Sequence, residues 1–252
     1  LTRLHLIATY GVAPRIDFEM KIGLAASSTS DPNLGACAEL SCKPLVGSVP
    51  IEARVKWQIL DEWREAPFSL ALGTTTRIGS FGATNRHRLT SFSEGTLDIG
   101  GVLSVGLSGK LGAVLNSFWL DFQYRYRIPN GIPEGMNPDT GVLFSVPGPE
   151  LVLQGDWMVQ PTSYFAFGPA WDILYRTKGS SLSMMDPSNR DAVASLAARA
   201  VKLGLKFDIH TRDFNAISFS FFRVVYAENN PSDLFFVSLG FSRFHPKKLD
   251  DE

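Results

Sequence analysis

Four histidines and two cysteines are the residue types here that most readily do chemistry. His5, His87, His210 and His245 lie far apart in the chain, and their spacing places no Ser/His/acid set. A catalytic triad is defined by geometry and roles, and nothing in this spacing supplies one, so an enzyme is not expected. The same histidines with Cys37 and Cys42 lack the close, paired spacing of a zinc site, so neither metal nor cofactor is expected. Cys37 and Cys42 fall in a segment containing Gly, Ser and Pro. In an oxidising envelope or at a cell surface such a pair forms a disulfide. Two free thiols in a cytosolic loop are the alternative. Gly100-Gly101 and Gly106 suggest a phosphate loop only superficially, because no helix pattern follows them.

The more informative chemistry is ionic, and it comes with a period of two. In the stretch 118–128, Phe118, Leu120, Phe122, Tyr124, Tyr126 and Ile128 alternate with Trp119, Asp121, Gln123, Arg125 and Arg127. Successive strand residues point to opposite faces, so one face is aromatic and apolar and the other largely charged. The pattern recurs along the chain. Ile16, Phe18, Met20 and Ile22 oppose Asp17, Glu19 and Lys21; Ile51, Ala53, Val55 and Trp57 oppose Glu52, Arg54 and Lys56. Leu203, Leu205, Phe207 and Ile209 oppose Lys202, Lys206 and Asp208. Arg3, Arg77, Asp98, Asp156 and Asp172 hold equivalent positions on other segments.

Eleven such segments are predicted, at 3–11, 16–25, 51–59, 68–78, 97–109, 118–128, 151–159, 165–175, 200–209, 216–226 and 234–244. Their lengths suit strands tilted across a bilayer, which need roughly 9–11 residues. They are joined alternately by short turns, near Pro14, Arg64, Val114, Thr162 and Arg212, and by longer polar segments. Short turns on one side and long loops on the other characterise outer-membrane barrels. Tyr10, Trp57, Phe68, Phe118, Trp157 and Phe165 fall at the short-turn ends of apolar faces, and Tyr126, Tyr175 and Tyr226 at the long-loop ends. Two aromatic belts are what two bilayer interfaces select. A soluble sheet with a core of aromatics would not need this repetition.

Composition agrees. The 252 residues carry 24 basic and 25 acidic side chains, a formal net charge of −1, which argues against a nucleic-acid partner. No run of apolar residues is long enough for a membrane helix, a test that alternating strands escape. The expected fold is all-β: a transmembrane antiparallel up-and-down β-barrel over 1–244, with a charged tail at 245–252, and the lipid bilayer as its principal partner. The implied location is a bacterial outer membrane.

On these residues the chain resembles the bacterial outer-membrane β-barrel class. The hairpin 10–24, a tight turn followed by an alternating strand, is similar to units of small porin-like barrels of the phenol-degradation-pathway transporter type. The closing 235–244 resembles the C-terminal assembly signal of such barrels. It departs from that signal because Phe244 has the opposite parity to Phe241 and further residues follow it.

The inward charges are the candidate functional set. Lumen-lining positions are Arg3, Lys21, Glu52, Arg54, Lys56, Arg77, Asp121, Gln123, Arg125, Arg127, Asp156, Lys202, Lys206 and Asp208. If they meet water, the barrel is a narrow channel for small polar or anionic solutes. If they pair across the lumen, it is a sealed barrel that anchors or stabilises another envelope protein. Strand directions place more basic residues in the outer half, Arg223 among them, so a basic outer mouth with modest anion preference is expected. Arg125 and Arg127 pairing locally with acidic neighbours is the alternative. Because bacterial barrels usually have an even strand count, a strand preceding Leu1 is expected to bring the complete barrel to twelve. Bulges are expected at Pro169 and near Phe222.

Overall fold

The computed structural model describes residues 2–27, 45–48, 50–62, 66–79, 96–129, 142–146, 148–183, 197–211, 215–228 and 235–243. The strands are β1 (Thr2–Ala13), β2 (Ile16–Ser27), β3 (Leu45–Ser48), β4 (Ile51–Leu60), β5 (Ser69–Ile78), β6 (Thr96–Leu111) and β7 (Val114–Pro129). They continue as β8 (Val142–Val146), β9 (Glu150–Thr162), β10 (Phe165–Arg176), β11 (Ser180–Ser183), β12 (Ala198–His210), β13 (Asn215–Glu228) and β14 (Phe235–Arg243). β3 extends the edge that β4 presents to β2, and β8 pairs with β11 as a separate two-stranded sheet. The other eleven form the wall, in the ring order β1-β2-β4-β5-β6-β7-β9-β10-β12-β13-β14.

The ring closes directly, and this corrects the expectation of twelve strands. β1 pairs β14 in parallel, from Thr2 opposite Phe235 to Tyr10 opposite Arg243. Every other neighbouring pair in the wall is antiparallel. An odd number of up-and-down strands leaves the first and last running in the same direction, so one parallel seam is the geometric consequence. No twelfth strand is needed to close the wall.

Two-residue turns at Pro14-Arg15, Gly112-Ala113 and Ser163-Tyr164 link neighbouring strands at one rim. Gly112 has φ +65°, a left-handed conformation that a side chain would disfavour and that matches the twist of a hairpin. Burial is inverted relative to a water-soluble protein. Leu6, Val55, Leu72, Leu103, Leu203 and Leu205 are exposed on the outside, while Glu52, Arg54, Asp98, Asp121, Arg125 and Arg127 are buried inside. Of the predicted aromatic belts, Tyr10, Trp57, Phe118, Trp157 and Phe165 near the turns and Tyr126, Tyr175 and Tyr226 near the loops are exposed, whereas Phe68 precedes β5 and is half-buried. In water this apolar surface would far exceed what a monomer tolerates; in a bilayer it is the solvated face.

Two local expectations change. Register is kept through Pro169, which lies opposite Leu205, so there is no bulge there. The β9–β10 shift lies between Phe165 and Phe167. In β13 the irregularity falls at Val225, skipped between Tyr226 opposite Val201 and Val224 opposite Lys202, rather than near Phe222. Phe222 therefore turns inward and Arg223 shares the outward parity of Phe219 and Phe221. Arg223 is exposed there and adds nothing to the interior.

Candidate functional site

The inner wall is built around a network of charged side chains. Arg54 on β4 donates through Nε to Glu52 Oε1 at 2.6 Å and pairs with Asp121 on β7 at 3.4 Å. Lys56 Nζ lies 3.0 Å from Asp121 Oδ2, and the Ser104 hydroxyl donates to Asp121 Oδ1 at 2.5 Å. Arg125 pairs with Glu52 at 3.0 Å and donates to Gln123 at 2.7 Å. Arg127 and Arg77 both pair with Asp98, and both reach Glu150 at 3.1 Å. Arg54 also pairs with Glu19 at 3.3 Å. These contacts join five basic residues (54, 56, 77, 125, 127) to five acidic ones (19, 52, 98, 121, 150), a neutral set.

A second cluster lies on β9, β10 and β12. Lys202 pairs with Asp172 at 3.3 Å, and Lys206 with Asp156 at 2.8 Å and Asp208 at 3.6 Å. Lys21 on β2 is within electrostatic range of Asp172 on the far side of the ring. Asp17 lies beside Gly11 near a turn.

Small inward residues let the long side chains cross intervening strands. Gly168 stands opposite Lys206, so Lys206 passes over β10 to reach Asp156 on β9. Gly73 stands opposite Lys56, and Ser104 opposite Asp121, on the two strands that Lys56 crosses. Gly106 stands opposite Trp119, whose ring fills the space a side chain would take, and Lys56 Nζ sits 4.9 Å from that ring's centroid. That is cation–π range.

Of the predicted positions, Lys21, Glu52, Arg54, Lys56, Arg77, Asp121, Gln123, Arg125, Arg127, Asp156, Lys202, Lys206 and Asp208 carry inward side chains. Arg3 lies in β1, but its side chain falls outside the described residues, as do Cys37 and Cys42 altogether. Sequence reasoning missed Glu150, which is buried and pairs with Arg77, Arg125 and Arg127, and Arg176, which is buried on β10 directly opposite Glu150. With Glu150 counted, Arg77, Arg125 and Arg127 each have buried carboxylate partners among Glu52, Asp98 and Glu150. Arg125 and Arg127 are locally paired, so they do not present an unopposed basic field.

No protein-family model matches the chain, and no curated protein matches it. Among solved structures, the COG4313 outer membrane channel from Pseudomonas putida F1 superposes with a TM-score of 0.55 at 13% identity. The alignment covers 90% of this chain and 76% of that one. The fold is a transmembrane β-barrel. At that identity the likeness speaks for architecture, and it accords with the lipid-facing surface and polar interior of this barrel.

Proposed function

We propose that this barrel is a narrow outer-membrane channel passing small polar solutes, a transporter rather than an enzyme. The observation that carries the reading is residual exposure inside the wall. Lys206 is 27% exposed, Arg77 20% and Lys202 19%, although all three point inward. Charged groups inside a barrel must meet water or each other, and these do both. The likeness to a protein titled an outer membrane channel supports the same reading. The balanced ion pairs favour weak charge selection over strong anion preference.

A second reading is a non-conducting barrel that anchors or stabilises an envelope complex. What favours it is the reach of Arg54, whose bonds run from β2 to β9. Solute flux separates the two. Proteoliposomes carrying the folded barrel are mixed with uncharged and anionic solutes of graded size. The channel reading expects passage of the smallest solutes of both kinds; swelling rates equal to those of empty vesicles would favour the anchor.

A further inference from the structure

The outer face of the wall carries basic charge in one place. Outward positions along the strands are mainly apolar or aromatic, as a lipid-facing surface requires. Among the described side chains of the wall strands, the basic exceptions are Arg199 on β12 and Arg223 on β13, both exposed. The two strands are neighbours, and both residues lie in the halves nearer the long loops.

Their surroundings are ordered. Tyr175, Arg199 and Glu228 form one row of the ladder across β10, β12 and β13. The Arg199 guanidinium lies 5.4 Å from the centroid of the Tyr175 ring, within cation–π range, and 3.9 Å from Glu228 Oε2. The Tyr226 hydroxyl donates to the same carboxylate oxygen at 3.1 Å. Arg223 stands opposite Leu203 on β12, nearer the middle of the wall. Outward parity on β13 runs through Phe219, Phe221 and Arg223, so unbroken alternation would turn Tyr226 and Glu228 inward. The irregularity at Val225 turns both outward instead, onto the face of Arg199 and Arg223.

Arg223 has no hydrogen-bond or ion-pair partner among the described residues. Around it Leu203, Phe221 and Val225 are exposed to the outside. A lone guanidinium in hydrocarbon is costly, and the cost fades toward the interface, where a long side chain reaches the headgroups. Two arginines against one carboxylate leave the patch net positive. The complementary group at that level of a bilayer is a lipid phosphate, whose oxygens match the planar fork of an arginine.

We propose that the outward face of β12 and β13 is a binding site for an anionic lipid headgroup. Arg223 takes the phosphate from the hydrocarbon side, Arg199 flanks the headgroup from the loop side, and Phe221 and Leu203 carry the adjoining acyl chain. This goes beyond the channel reading and holds whether or not the lumen conducts.

The test is native mass spectrometry of the full folded chain in detergent, titrated with phosphatidylglycerol or, separately, with phosphatidylcholine. The proposal expects tighter retention of phosphatidylglycerol. Arg223→Gln should weaken it about fivefold, the worth of one basic residue beside an anionic lipid surface, and Arg199→Gln should weaken it as well. Retention of phosphatidylcholine should not change in either variant. Arg15→Gln, at the exposed turn of the opposite rim, should leave both lipids unaffected. Heat-modifiable migration verifies that each variant is folded. Should Arg223→Gln fail to fold, Arg223→Lys, which keeps the charge but not the fork, should bind phosphatidylglycerol more weakly than the parent. No preference between the two lipids would overturn the site. So would phosphatidylglycerol affinity unchanged by substitution of Arg223, or lowered equally by Arg15→Gln. Complete displacement of the lipid by inorganic phosphate would assign the patch to a free anion and overturn the lipid reading too.

Discussion

Replacing Glu150 with Gln tests whether the network is held by charge balance. Glu150 is 4% exposed and has Arg77 and Arg127 at 3.1 Å and Arg125 at 3.8 Å. Removing one partner of a buried ion pair costs about 3–5 kcal/mol, because it leaves an uncompensated buried charge. Here Asp98 still serves Arg77 and Arg127, and Glu52 still serves Arg125, which puts the expected loss near the lower end, about 3 kcal/mol. Glu228 offers a control: its partner Arg199 is 3.9 Å away and both side chains are about half exposed. Glu228→Gln should cost at most about 1 kcal/mol. Urea unfolding in lipid vesicles gives both values from midpoint and slope. Adding Arg77→Gln to Glu150→Gln restores a four-to-four balance and should regain part of the loss. A Glu150→Gln loss no larger than that of Glu228→Gln, or no recovery in the double variant, would refute the charge-balance reasoning.

Two further outcomes follow from the wall itself. Gly100→Ala should weaken or abolish folding while Gly101→Ala is tolerated, because a Cβ on Gly100 collides with the Tyr124 carbonyl oxygen and one on Gly101 meets open space; thermal gel-shift midpoints of the two variants check this, and equal midpoints would contradict it. His5→Cys combined with Ser238→Cys, in a chain with Cys37 and Cys42 replaced by Ser, should oxidise to a disulfide within one chain, since these residues are direct partners across the parallel seam. Reduced thiols after mild oxidation, or cross-links only between copies, would count against eleven-strand closure.

The strand positions were legible because alternation, turn chemistry and aromatic placement agree along the chain. Leu203 to Ile209 with Lys202 to Asp208 reads the same way in sequence and in structure. What escaped reading had physical reasons. The strand count followed a statistical preference for even numbers, whereas pairing of β1 with β14 is a contact between chain ends that no local pattern encodes. The irregularity at Val225 was hidden by adjacent Phe221 and Phe222, and its place is set by the partner strand. Glu150 follows Pro147, Gly148 and Pro149 and so resembled loop; extending the parity of Val152 and Gln154 by one step would have turned it inward. Alternation assigns Arg54 to the inner face but carries no information about how far its guanidinium reaches across the ring.

Single-channel recording of the folded barrel in a planar bilayer decides whether the lumen conducts. Stable, small conductance steps with only weak preference between cations and anions are expected, because the larger network is neutral. Correctly inserted protein, verified by its heat-modifiable migration, that gives no current above the bare bilayer would contradict the channel reading.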